Sequence, residues 1–372
     1  MTDSDTATPV YLDHNAPTVV RREAKAAMAA ALDTIGNPSS THGFGRSARR
    51  LLEEAREQVA ALVGASPAEV YFTSGGTEAN AIAMRGCSGR TLIVTEVEHP
   101  AVLNNAFEGI LVPVDRDGVA DLDALDAALD EAGPALVSVM TANNETGVIQ
   151  PLAAVRERLA GHDALLHSDS VQAAGKIELP PIWAVADMMT LSAHKLGGPQ
   201  GVGALILKAG AEVDPLWRGG GQERRQRSGT ENLPRIAGFG AAAAAAGRDM
   251  ADAGRIAGLR DRLEREARTL ANDIVIHGAG APRLPNTSNL SVPGMAADTL
   301  MMNFDLAGVA VSAGSACSSG KVTVSHVLAA MGVEDEAARS AIRISLGWTS
   351  RDADVDRFLS VLGDLCARRR AA

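Results

Sequence analysis

The chain has few cysteines, no basic surplus and no long apolar run, and each shortage removes a class of protein. Only three cysteines, Cys87, Cys317 and Cys366, occur in 372 residues. They lack the paired spacing of a zinc site or a disulfide framework, so a reducing, cytoplasmic setting is expected. The formal net charge is −10 and no basic stretch is interleaved with aromatics, which argues against a nucleic-acid partner. Arg224, Arg225 and Arg227 form the densest internal basic cluster, suited to a small anion. No apolar run is long enough to span a bilayer, so no membrane partner is expected. Met1 to Pro9 is polar and acidic, and reads as a frayed terminus rather than a signal peptide.

What is present is ample apolar material: 46% of the residues are hydrophobic, enough for two or three domains, or one large and one small. Short apolar runs alternate with helical patterns from Glu69 to Lys208, the signature of a mostly parallel sheet covered by helices. Seven strands are expected, at Val70–Thr73, Thr91–Thr95, Leu111–Val114, Ala135–Met140, Ala164–His167, Asp187–Leu191 and Gly203–Leu207. Leu122–Asp130 and Leu152–Ala160 carry apolar residues at helical spacing. The alanine-rich stretch Leu233–Asn272 predicts one long connecting helix. Beyond it, strands at Ile274–His277, Ser288–Val292, Val309–Val311 and Ile342–Leu346 alternate with helices at Asp298–Leu306, Ser325–Met331 and Asp352–Arg368. That pattern is a small α+β unit.

In such sheets ligands bind beyond the carboxyl ends of the strands, and five motifs fall there. Ser192-Ala193-His194-Lys195, before a glycine-rich turn, sets an amine beside a hydroxyl, an imidazole and exposed amides. Those groups suit an aldehyde that carries a phosphate. Thr73-Ser74-Gly75-Gly76-Thr77-Glu78 opens a helix whose free amides can cradle a phosphate. Glu98-His99-Pro100 offers an imidazole for stacking or proton transfer, although a lone histidine is more often structural. Asn143-Asn144-Glu145-Thr146-Gly147 offers amides. His167-Ser168-Asp169-Ser170-Val171-Gln172 offers a carboxylate that also reads as a helix N-cap. Cys317 lies in a run of small residues, Ser312 to Gly320, that reads as a mobile loop presenting a thiol.

With these motifs in this order, the chain resembles the cysteine desulfurases of the NifS/IscS type, in the class V aminotransferase family. The likeness also takes in Tyr11-Leu12-Asp13-His14-Asn15-Ala16-Pro17, Asn37-Pro38-Ser39-Ser40-Thr41-His42-Gly43, Arg227-Ser228-Gly229-Thr230 and Arg343-Ile344-Ser345-Leu346-Gly347. It implies an α/β fold of the PLP-dependent transferase (aspartate aminotransferase-like) kind, with a seven-stranded sheet. It also implies a large domain at 15–255, and a small one at 1–14 and 256–372 with the cysteine loop at about 312–324.

The resemblance implies pyridoxal 5'-phosphate (PLP) as cofactor, in a Schiff base with Lys195. Asp169 would meet the ring nitrogen, Asn144 and Gln172 the ring oxygen, and His99 would stack on the ring and move protons. Gly76, Thr77, Ser192 and His194 would hold the phosphate, with Thr230 reaching in from the second subunit of a homodimer. Arg343, assisted by Asn15, would hold the carboxylate of L-cysteine. Cys317 would take the sulfur as a persulfide, leaving L-alanine, and pass it to an iron-sulfur scaffold or other acceptor protein. No metal is implied in the resting enzyme, with Cys317 available as a transient iron-sulfur ligand against a scaffold partner. The alternatives are a selenocysteine lyase or aminotransferase of the same family, or a non-catalytic sulfur-relay module.

Overall fold

Residues 9–313 and 324–371 are described by a computed structural model, in which the expected strands meet in one seven-stranded sheet. Cys317 lies outside the described residues. Across the sheet the strands run Val70–Thr73, Gly203–Leu207, Met188–Ser192, Ala164–Asp169, Ala135–Ser138, Thr91–Thr95 and Ile110–Val112. Gly203–Leu207 is antiparallel to both its neighbours, and the other pairings are parallel. The central strands are buried along their whole length, which explains why they read as unbroken apolar runs rather than alternating ones.

The connections between strands are helical, and two long helices expected from no motif complete one side of the sheet. Arg22–Leu32 and Gly43–Val63 pack with Leu233–Asp249 around a core that includes Leu52, Val59, Phe72, Leu191 and Phe239. The expected single helix over Leu233–Asn272 is instead two, Leu233–Asp249 and Ala253–Leu270, joined by a 3-10 turn at Met250–Asp252. The break falls where the apolar stripe changes core. Phe239, Ala242 and Ala246 face the first, whereas Ile256, Leu259 and Leu263 face a second. The polar run between them includes Asp249, which pairs with Arg21.

The second core lies against a four-stranded sheet ordered Ser312–Ala313, Ala341–Ser345, Thr287–Ser291 and Val275–Ile276, all antiparallel. The amino-terminal strand Val10–Tyr11 pairs in parallel with Val309–Ala310, and Leu12 enters the second core. A bridge between Asp13 and Ser345 then carries the chain from this sheet toward the first. Among the described residues no helix is long and apolar enough to cross a membrane.

Candidate active site

The carboxyl ends of the parallel strands open on a cavity of about 340 Å³. Its walls bring together Asn15, Gly76, Thr77, His99, Asn144, Asp169, Gln172, Ser192, His194, Lys195 and Arg343. Each arrives for a local reason. Asp169 and Ser192 are the last residues of their strands, and Lys195 closes a 3-10 turn that starts one residue after Ser192. Gly76 and Thr77 open the helix Gly76–Gly86, whose first amides lack intrahelical partners and whose dipole favours an anion. A Cβ at Gly76 would lie 2.9 Å from Val171 Cγ2, so only glycine lets the backbone pass so close to the cavity wall.

Asp169 is fixed at the cavity floor. Its Oδ2 accepts from Asn80 Nδ2 at 2.7 Å and its Oδ1 from the Val171 amide at 3.0 Å. His99 caps the helix Pro100–Leu103, its Nδ1 accepting from the Ala101 amide at 3.0 Å. That bond places the ring proton of the neutral form on Nε2. Burial lowers the proton affinity of His99, Asp169 raises it and Lys195 lowers it, with the net shift downward. The Ser192 hydroxyl lies 2.9 Å from His194 Nδ1, and burial holds His194 down at about 4. Lys195 Nζ donates to the Asn15 carbonyl at 2.6 Å.

Arg343 enters from the second sheet. Its Nη2 donates to Asp13 Oδ1 at 2.7 Å and its Nη1 to the Asn144 carbonyl at 3.2 Å, while its buried Nε–H has no partner among the described residues. A buried, unpaired guanidinium edge is suited to a carboxylate. Two carboxyl groups border the site. Burial pushes Glu98 up to about 8 and Glu145 up to about 7. Glu145 Oε2 accepts from the Ser325 hydroxyl at 2.5 Å, and the Glu98 carbonyl lies 3.0 Å from His326 Nε2. Ser325 and His326 are therefore tied to residues beside the cavity.

Two of the expected residues have surroundings of their own. Both Nδ2 hydrogens of Asn15 are engaged, at 2.8 Å to Thr287 Oγ1 and 3.1 Å to the Asn144 carbonyl, so its side chain braces the turn at the cavity wall. Thr230, expected to act in the site of a second subunit, is exposed and lies outside the cavity of its own chain. Asn80, missed in the sequence, stands one helical turn beyond Thr77, and that i,i+3 spacing was its only signal. Asp13 and Lys176 were missed as well, since Arg343 and Asn15, with which they pair, lie far away in the chain. Cys87 and Cys366 are buried free thiols, and burial pushes Cys87 up to about 11. Among the described residues no cluster of three or more histidine, cysteine or acidic side chains is placed to hold a metal.

Comparison with known proteins decides the family, because the profile described as aminotransferase class-V matches residues 10–358. The chain belongs to the class-V aminotransferase family. Among its curated relatives, the cysteine desulfurase of Cereibacter sphaeroides is 44% identical over 97% of each chain. Cysteine desulfurase IscS of Dictyoglomus turgidum is 40% identical, over 97% of this chain and 95% of its own. A NifS-like protein from Rickettsia africae superposes with a TM-score of 0.90 at 35% identity, over 96% of this chain and 99% of that one. Class-V enzymes depend on pyridoxal phosphate, and the donor set fits that group. The helix amides at Gly76 and Thr77 suit its phosphate, the doubly anchored Asp169 its ring nitrogen and the Lys195 amine its aldehyde.

Proposed function

We propose that the protein is a pyridoxal phosphate-dependent cysteine desulfurase, taking sulfur from L-cysteine to give L-alanine and a persulfide on Cys317. The observation that carries this reading is a single cavity that joins Lys195, Asp169 and His99, from the ends of the large sheet, to Arg343 from the small one. Amine, carboxylate, imidazole and guanidinium are the groups that an amino-acid substrate and this cofactor require together. The curated relatives named cysteine desulfurase support the choice of substrate.

The bound cofactor supplies an electron sink for the charge left when the substrate's α-carbon loses its proton. The chain's own residues do the rest. Lys195 would hold the cofactor covalently, and Asp169, braced by Asn80 and the Val171 amide, would face its ring nitrogen. Asn144 and Gln172 serve the ring oxygen. Gly76, Thr77, Ser192 and His194 hold the phosphate, with Thr230 of a second copy completing it in a homodimer. Arg343 takes the substrate carboxylate on its unpaired Nε edge. His99, kept neutral by burial, has Nε2 as the nitrogen able to exchange a proton with substrate. Cys317 forms the sulfur–sulfur bond as the substrate's carbon–sulfur bond breaks. The persulfide is then passed on for iron-sulfur cluster assembly, with Cys317 a transient ligand against a scaffold partner.

The two cores support a large domain over 15–255 and a small one over 1–14 and 256–372. The test of the function is direct. Cys317→Ala is expected to retain the cofactor's visible absorbance while losing sulfide release from L-cysteine, and mass mapping after alkylation is expected to find persulfide on Cys317 of the wild type. Unchanged sulfide release by the variant would rule the mechanism out.

A further inference from the structure

Behind the wall of the active cavity lies an amine with no role in the scheme above. Lys176 is half-buried with its Nζ turned inward, and that amine donates to Asn15 Oδ1 and to Gln172 Oε1, both at 2.8 Å. Those two acceptors are part of the lining of the active cavity, whereas Lys176 faces a second, larger one of about 750 Å³. Lys195 borders both. The backbone carbonyl of Asn15 in turn accepts from Lys195 Nζ at 2.6 Å and from Gln172 Nε2 at 2.9 Å. One closed set of hydrogen bonds thus runs from Lys176 through two amide side chains to the amine of Lys195.

We propose that Lys176 is a positioning residue, which fixes where the Lys195 amine stands and which way the Gln172 amide faces. The geometry admits little choice. An amide group turned by 180° would present hydrogens to Lys176 in place of an oxygen, so the lysine pins Oδ1 of Asn15 and Oε1 of Gln172 toward itself. That leaves Nε2 of Gln172 on the side of the Asn15 carbonyl. The Asn15 turn is held in the same way from the other side, by Asn286 Nδ2 to Oδ1 at 2.9 Å and by Ser345 Oγ, which accepts from its amide at 2.9 Å.

Charge supports the same role. The charged groups that act on Lys176 are Lys195 and Arg343, both positive, and His14 of the neighbouring turn feels Lys176 in its turn. Among the described residues no carboxylate lies within ion-pair distance of its amine. Burial first, then Lys195 and Arg343, drive its proton affinity well below that of an ordinary lysine. Two hydrogens of the amine go to the two amide oxygens.

The inference rests on the reading of Lys195 as the cofactor lysine, and the test separates the two. Wild type, Lys176→Met and Lys176→Arg are prepared with bound pyridoxal phosphate. Borohydride reduction and peptide mass mapping show which lysine carries it, and the pH midpoint of its visible absorbance reports the surroundings of that nitrogen. Cofactor on Lys195 is expected in all three. The midpoint is expected to fall by about one pH unit in Lys176→Met, which loosens the Asn15 carbonyl, and further in Lys176→Arg, which sets a permanent cation beside Lys195. Midpoints within about 0.2 of wild type in both variants overturn the proposal. If Lys176→Met does not fold, Lys176→Arg decides alone, and a midpoint that does not fall is the adverse result. Cofactor on a lysine other than Lys195 in the wild type overturns the underlying reading, and the proposal with it.

Discussion

Arg343 shows how much of the site depends on pairs of residues far apart in the chain. Its guanidinium is held by Asp13, 330 positions earlier, and by the carbonyl of Asn144. Asp13 takes one hydrogen of Nη2 and so turns the unpaired Nε edge to a fixed direction, which is what two-point recognition of a carboxylate requires. Asp13→Ala should therefore raise KM for L-cysteine about tenfold, the worth of one charge-assisted hydrogen bond, and change kcat less. Asp13→Asn keeps an oxygen for Nη2 and should fall between the two. A KM that drops in Asp13→Ala would mean that the carboxylate competes with substrate instead of orienting its receptor. The groups Asp169 and Lys195 were legible in the sequence, because each lies a few residues past an apolar run, where a parallel sheet presents side chains to a ligand. Asp13 was not, because only the pairing of Val10–Tyr11 with Val309–Ala310 brings its carboxylate to the second sheet.

At the scale of elements, the strands were legible to within a few residues and the helices less so. Strand ends moved where turn chemistry intervened, as at Pro113, which follows the observed end at Val112. The helix Gly43–Val63 was overlooked although Ala48, Leu52, Ala55, Val59 and Val63 are buried at helical intervals. Two of those five are alanines, and small residues mute a hydrophobic signal that packing still uses. That close packing gives opposite predictions for two glycines of one helix. A Cβ on Gly240 would lie 2.6 Å from Ala55 Cα and 2.4 Å from Gln58 Oε1, whereas one on Gly247 would meet only Leu62 Cδ1 at 3.8 Å. Gly240→Ala should destabilise by about 1–3 kcal/mol through overpacking. Gly247→Ala should stabilise by about 0.5–1 kcal/mol through helix propensity. Denaturant midpoints of the two variants would check the pair, and shifts of the same sign would contradict the packing.

At the scale of the molecule, three buried imidazoles and one half-buried one set how the fold responds to acid. His14 in the amino-terminal turn, His167 in the large sheet, His194 in the turn Ala193–Lys195 and His277 beside the small sheet are all held down at about 4, with burial the leading cause. The unfolded chain binds a proton at each below about 6.5, but the native one only near 4, so their stabilisation is complete above 6.5 and lost as pH falls from there to 4. Glu98 and Glu145 act in the opposite sense. Raised to about 8 and about 7, they favour the native state at low pH and lose that advantage as pH rises from the ordinary carboxyl value. Between pH 4.5 and 6.5 these four imidazoles, joined by His99, outnumber the two carboxyl groups, so stability should fall on acidification. His277, whose Nε2 lies 2.7 Å from Ser291 Oγ, is well placed to test this because it does not line the active cavity. His277→Gln should flatten the acid limb of an unfolding titration by about one proton, whereas Glu98→Gln should steepen it, since it removes an opposing group. Parallel acid limbs for His277→Gln and wild type would show that burial does not keep this imidazole neutral.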